Sequence, residues 1–370
     1  LAFGVAFVMK QPGILLGAFA FFYLVAQWWP KNARDWAPWA KKLGMFLLGG
    51  ALPFALTCAL LYRAGVFHNF WFWTFTYARQ YATIQPLGKG LKYLSNSFAY
   101  ILSFTPWHWA LALVGVSTVF WNSAVRRRAV FVLGLLVFSC AAVCPGLYFR
   151  SHYFILMMPA VAILIAVAVT SAVRWLTAKS TSRWLPVLPM IVFAAISVLA
   201  IYRNAKFYFK LTPAQACHLS YPGHPFVEAV PIAEYLGQHT APTDTVMVLG
   251  SEPEIYFYAH RHSASGYIYT FSLVEDQAYW PAMQKQMMQE VEANRPAYVV
   301  IVDTRISWLE RPGSPQAVAI YTWMNQYISS GYEEAGMVEL ANPEARYFWG
   351  DEARGHRRPG HEILIFKRKG

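Results

Sequence analysis

Six uncharged, strongly apolar stretches run through the first half of the chain, at residues 11–30, 43–62, 98–121, 129–149, 153–173 and 184–202. A helix needs roughly 20 such residues to cross the hydrocarbon core of a bilayer. A buried core helix accounts for one run of this kind, but not for six in series. The pattern predicts a polytopic α-helical membrane bundle. Bulk composition agrees, since 56% apolar residues exceeds the usual share in soluble domains. The opening residues 1–9, LAFGVAFVM, are apolar too, without the charged flank and small-residue cleavage site of a signal peptide. They read as the end of an earlier helix, which makes the chain a piece of a longer protein.

Charge divides the chain as sharply. Of nineteen carboxylates only Asp35 falls within residues 1–205, against seventeen Lys and Arg; residues 206–370 hold the other eighteen, against fourteen Lys and Arg. Residues 1–205 are therefore assigned to the transmembrane bundle and 206–370 to a small soluble α/β domain. Three short loops are rich in basic residues, with Lys31, Arg34, Lys41 and Lys42 in the first, Arg126, Arg127 and Arg128 in the second, and Arg174, Lys179 and Arg183 in the third. The positive-inside rule puts these loops in the cytoplasm. Lys10, the 63–97 loop, the 148–153 corner and everything after residue 202 then lie outside. The expectation is a multi-pass protein of the plasma (bacterial inner) membrane with an extracytoplasmic carboxyl-terminal domain. The net charge of +12 sits in membrane loops, so it points to anionic lipid and not to nucleic acid. Cys58, Cys140 and Cys144 lie inside expected spans and Cys217 stands alone, so no disulfide framework is implied.

The second half alternates helical and strand-like segments. Helices are expected at 226–239, 251–260, 277–293 and 315–329, and strands at 245–250, 297–302 and 362–367, which together predict a mainly parallel sheet. The segment Gly250-Ser-Glu-Pro-Glu-Ile-Tyr256 pairs Glu252 with Glu254 and has the look of an active site. Ser251 three residues before Glu254 also fits a capping box with Pro253 in the first turn, and that structural reading is preferred. No phosphate-binding glycine loop, HExxH or paired CxxC is present.

Three constellations on the expected outer face carry chemistry. Residues 66–81 hold eight aromatic side chains with His68 and Arg79, suited to an interfacial anchor or to one wall of a lipid or sugar groove. The cations Lys10, Arg63, Arg79, Lys89, Lys92 and Arg150 have no acidic neighbour in their own half, and such cations bind anionic lipid headgroups or phosphate. The corner Tyr148-Phe-Arg-Ser-His-Tyr-Phe154 sets Arg150, His152 and Tyr153 between two spans with almost no loop. Lys10, Arg79, Arg150, His152 and Tyr153 are the candidate phosphate- or substrate-binding residues. No cofactor is identified, and one histidine does not support a divalent metal site.

Arg150-Ser-His-Tyr-Phe-Ile-Leu-Met-Met-Pro159, taken with Lys10-Gln-Pro12 and Gly250-Ser-Glu-Pro-Glu-Ile-Tyr-Phe-Tyr258, resembles bacterial family 39 GT-C glycosyltransferases. These are the relatives of protein O-mannosyltransferases and of the aminoarabinose transferase of lipid A. The resemblance covers the later part of such a protein. It implies a polyprenyl-phosphate-linked sugar as donor and transfer to an acceptor hydroxyl on the outer face of the membrane. The family's catalytic carboxylate lies in the first outer loop, which this chain lacks, so the acid is expected upstream of Leu1 and the chain alone is expected to be inactive. By the same resemblance Lys10 and the Arg150–His152 corner face the donor phosphate or the acceptor. The alternatives are a multi-spanning transporter or lipid flippase with an external domain, which needs ionisable residues at mid-membrane, where only His108 qualifies, and an anchored binding module, for which six spans are excessive.

Overall fold

A computed structural model of the chain describes all residues except 84, 309–312, 341–343, 354 and 356–361, and the Tyr81 side chain. The chain divides into two compact units, Leu1–Lys206 and Phe207–Gly370.

The first unit is helical throughout. α1 (Ala2–Met9) stops at Lys10, whose extended backbone and a 3-10 turn over Gln11–Gly13 reverse the chain into α2 (Ile14–Trp28). The reversal is tight because Gly13 lies against Ala6 and Gly17 against Phe3. Next come α3 (Trp36–Arg63), α4 (Phe67–Trp71), a π-helical turn Phe72–Tyr77 and α5 (Ala78–Thr83). Then follow α6 (Leu87–Phe104), α7 (Pro106–Trp121), the short α8 (Ser123–Arg126) and α9 (Ala129–Val143). A 3-10 segment Ser151–Met157 leads into α10 (Met158–Lys179), and α11 (Leu188–Arg203) closes the unit.

Among the described residues, four helical segments are long and apolar enough to cross a membrane: Gln11–Trp28, Ala33–Arg63, Ser151–Lys179 and Leu185–Arg203. The six expected spans are not all straight crossings. The 98–121 stretch is broken at Thr105 and bent by 105°, so α6 and α7 make a fifth span only as a bent pair. α9 has 15 residues, about 22 Å at 1.5 Å per residue, short of a ~30 Å core. Pro53 sits inside α3; Pro106, Pro159 and Pro189 stand in first turns, where the missing N–H costs no hydrogen bond, and Pro145 follows the end of α9.

α7 and α10 form the closest helix pair. A Cβ at Gly115 would collide with the Leu164 carbonyl, so the two backbones meet where the side chain is absent, as small residues allow in apolar surroundings. Asn122, which caps α8, adds a 2.8 Å hydrogen bond from its amide to the Ser171 hydroxyl of α10.

The second unit begins after α12 (Ala205–Phe209), which crosses the division, with α13 (Pro213–Ser220) and α14 (Ala229–His239). The strands are β1 (Thr245–Leu249), β2 (His262–Ser263), β3 (Tyr298–Asp303), β4 (Tyr332–Glu339), β5 (Arg346–Trp349) and β6 (Glu362–Arg368). Between them lie α15 (Glu254–Ala259), α16 (Phe271–Val274), α17 (Trp280–Asn294), α18 (Arg305–Trp308) and α19 (Pro315–Gly331). They build one sheet in the order β2-β1-β3-β6-β4-β5. The expected mainly parallel sheet is half right: β2, β1 and β3 are parallel, whereas β6, β4 and β5 join antiparallel. β4 and β5 escape a sequence reading because Tyr-Glu-Glu-Ala-Gly-Met-Val-Glu is polar and irregular. A register shift at Glu334/Gly336 breaks its alternation, and the Trp349 ring packs where a Cβ at Gly336 would stand. α14 and α15 pack Ile232, Leu236 and Ile255 on one sheet face, against Val248, Val300 and Ile365. α19 lies on the other face, next to Ile301 and Leu364.

The capping box expected at Ser251 does not form. α15 starts at Glu254 with Pro253 as its cap residue, and the Ser251 hydroxyl bonds Thr270 at 3.2 Å instead. A true capping box stands at Thr212 and Gln215, ahead of α13.

Candidate functional site

The tip of the α1–α2 reversal and the corner between α9 and α10 meet at one place. The corner is built on unusual backbone. Gly146 has φ 77°, and Leu147 and Phe149 also take positive φ, 54° and 41°. Left-handed backbone costs a non-glycine residue roughly 1–3 kcal/mol, so it persists only where the surroundings enforce it. Here Phe149 is buried, Leu147 packs on Gly90 of α6, and Phe154 is buried against Phe98 with ring centroids 6.2 Å apart. The strained corner delivers Arg150, then His152 and Tyr153 on the following 3-10 turn.

Lys10 comes in from the other element. Its Nζ stands 4.1 Å from the centre of the Tyr153 ring, within the range of a cation–π contact. His152 packs edge-on to the same ring at 4.7 Å, and the Arg150 guanidinium lies 5.9 Å from the Tyr148 ring. The charges of Lys10 and Arg150 both reach His152. Four of the five candidate residues are therefore brought together. Arg79 is exposed on α5, and no contact among the described residues joins it to Lys10 or Arg150. α5 nevertheless approaches the corner, since a Cβ on Gly146 would stand 3.8 Å from the Ala82 Cα.

Residues 66–81, expected along the membrane surface, form α4, the π turn and α5. The Gln11 amide donates to the Thr74 carbonyl of the π turn at 2.5 Å, tying the aromatic segment to the tip that carries Lys10. π turns recur at functional sites because their wider ladder aims groups that an α-helix would not. Neither this bond nor the left-handed corner leaves a mark in local sequence beyond Gly13 and Gly146, so sequence reasoning missed Gln11 and Thr74.

Two features define what this place can do. It holds two cations, Lys10 and Arg150, beside the His152 imidazole, in a unit whose one carboxylate, Asp35, sits at the far end of α2 beside the Asn32 amide. Along the two helices of the same reversal, α1 and α2, and α3, runs an open crevice of about 450 Å³ lined by apolar side chains, Phe3, Phe7, Phe21, Phe46 and Phe54 among them, to which the four corner residues contribute no wall. An anion with a long apolar tail is the chemistry that matches both.

In the second unit the Gly250–Tyr256 segment is structural. Glu252 is 1% exposed, and its Oε2 accepts from the Ser251 N–H at 2.6 Å and the Ser307 hydroxyl at 2.7 Å. The carboxyl thus clips the turn after β1 to α18 after β3. Burial raises it from 4.5 to about 7, although both hydrogen bonds pull the other way. Burial also raises Glu254. Among the described residues no group of three His, Cys, Asp or Glu side chains could hold a metal ion. Comparison with protein-family models, with curated proteins and with solved structures finds no match.

Proposed function

We propose that the chain forms the donor-binding part of a membrane glycosyltransferase of the family 39 GT-C kind, which uses a sugar carried on a polyprenyl phosphate and acts on the outer face of the plasma membrane. The supporting observation is the meeting of Lys10 with Arg150, His152 and Tyr153 at the tip of a helix pair that lines an aromatic crevice, away from the one carboxylate of the helical unit. Arg150 grips a phosphate bidentately and Lys10 serves as a point charge. The acceptor oxygen attacks the anomeric carbon as the bond from that carbon to the phosphate oxygen breaks. The polyprenyl phosphate leaves with a second negative charge, which the two cations stabilise more strongly than they did the singly charged diester of the donor. The acceptor proton passes to a base outside this site, because α2 separates Asp35 from Lys10 by about 22 Å of helix.

Binding tests the reading directly. The protein in nanodiscs is expected to bind a polyprenyl phosphate well and the matching polyprenol weakly. Lys10→Ala and Arg150→Ala should each weaken phosphate binding tenfold to a hundredfold, the worth of one charge-assisted hydrogen bond at about 1.5–3 kcal/mol. Equal binding of phosphate and alcohol, or unchanged binding in both variants, removes the assignment. A second reading, a lipid flippase, is favoured by one observation: His108 on α7 bonds the Ser197 hydroxyl of α11 at 3.3 Å and leaves a buried Nδ1 without a partner. A flippase moves the lipid intact from one leaflet to the other, so translocation of a labelled polyprenyl phosphate in proteoliposomes separates the two.

A further inference from the structure

The soluble unit holds an open crevice of about 320 Å³ between α19 and the sheet, the size at which small-molecule pockets begin. Residues of α19 at helical spacing, Tyr321, Met324, Asn325, Ile328 and Ser329, form one side. Ile301, Leu364 and Phe366 of β3 and β6 form the floor, and Trp308 closes an end. Trp308 is a fixed wall, 1% exposed, with its indole N–H donating to the Val302 carbonyl at 2.8 Å and its ring 5.1 Å from that of Tyr321.

The informative member is Asp303, the last residue of β3. It lines the crevice, is half-buried, and makes no ion pair or side-chain hydrogen bond with any described residue. Arg305, two residues on, is exposed and does not pair with it. Asp303 is the cross-strand partner of Glu362, and Glu362 that of Glu339, so three carboxylates share one sheet face. Glu362 and Glu339 have partners of their own, which leaves Asp303 as the group turned to a ligand. The Asn325 amide, at the exposed rim, has no described partner either.

We propose that this crevice binds a small ligand carrying a primary ammonium on a ring-sized apolar body, with the ammonium at Asp303 and the body along the floor between Tyr321 and Phe366. An anion is repelled by the Asp303 carboxylate. A neutral polyol gains no charge-assisted bond at Asp303 and leaves the apolar floor of Ile301, Leu364 and Phe366 unmatched. The ammonium gains a charge-assisted bond to Asp303, and the electron-rich face of Tyr321 adds to its stabilisation.

The test uses a matched pair of probes on the full chain in amphipol, tyramine and tyrosol, which differ only in an ammonium against a hydroxyl. Wild type should bind tyramine at least tenfold more tightly, as read by saturation-transfer NMR and calorimetry. Asp303→Asn, which keeps the shape, should abolish the preference. Asn325→Trp fills the crevice from its exposed rim without touching the core, and should remove binding of both probes while the melting temperature holds. Tyrosol binding as tightly as tyramine, a preference that survives Asp303→Asn, absence of saturable binding to wild type, or tighter binding of a methyl glycoside each overturns the proposal.

Discussion

Glu252 shows how one side chain links fold to solution behaviour. Its carboxyl is raised from 4.5 to about 7 in the fold, chiefly by burial, so between those values the folded protein keeps a proton that the unfolded chain has released. Stability from this group is therefore full below pH 4.5 and lost as pH rises through about 7. Glu254, also raised by burial, acts in the same direction. Glu290 acts in the opposite direction, because although burial disfavours its charge, bonds from the Ser265 hydroxyl, the Gly266 N–H and the Gln286 amide hold it below the usual range. Glu252→Gln keeps an acceptor for Ser251 and Ser307, and it should flatten the fall of stability between pH 5 and 7.5 by up to about 3 kcal/mol. Denaturant titrations of both proteins at the two pH values check this; parallel pH profiles would contradict the assignment.

At the scale of elements, packing decides which glycines matter. Gly115 in α7 is pressed against the α10 backbone, whereas nothing lies within 4 Å of a Cβ on Gly44 in α3. Gly115→Ala should destabilise the helical unit by about 1–3 kcal/mol through overpacking. Gly44→Ala should be neutral, or stabilise by up to about 1 kcal/mol through helix propensity. Thermal melts in one detergent compare the two, and equal shifts would contradict a close α7–α10 contact. The same scale explains Ser251 and Thr212. Both precede a helix by the right spacing for a capping box, but Ser251 is drawn away by Thr270 and Ser307, partners 19 and 56 residues distant in sequence. Thr212 has no such competitor and forms the box.

At the scale of the whole molecule, the helices long enough to cross a membrane all fall within the first unit, and the sheet within the second. The proposed sidedness is open to labelling in a background free of the four native cysteines. A Lys369→Cys variant should react with a membrane-impermeant maleimide in intact cells, and an Arg127→Cys variant only after permeabilisation. The reverse pattern would turn the protein over and place the cationic corner in the cytoplasm, away from an outer-face reaction.

Run length and charge, read without coordinates, were enough for the two-part organisation, because a bilayer and a soluble core each impose their own residue statistics. They were also enough for the alternation of helix and strand through β3, and Lys10, Arg150, His152 and Tyr153 stood out by their chemistry in a half with one carboxylate. Three things had to wait for the tertiary structure. The break at Thr105 and the short α9 depend on how neighbouring helices receive the chain. The antiparallel half of the sheet depends on β6 entering between β3 and β4, a pairing of segments far apart in sequence. The contact of Lys10 with Tyr153, 143 residues apart by number, arises because a glycine-lined reversal and a left-handed corner aim two distant side chains at one point. Such convergence is a property of packing, and no local pattern of residues encodes it.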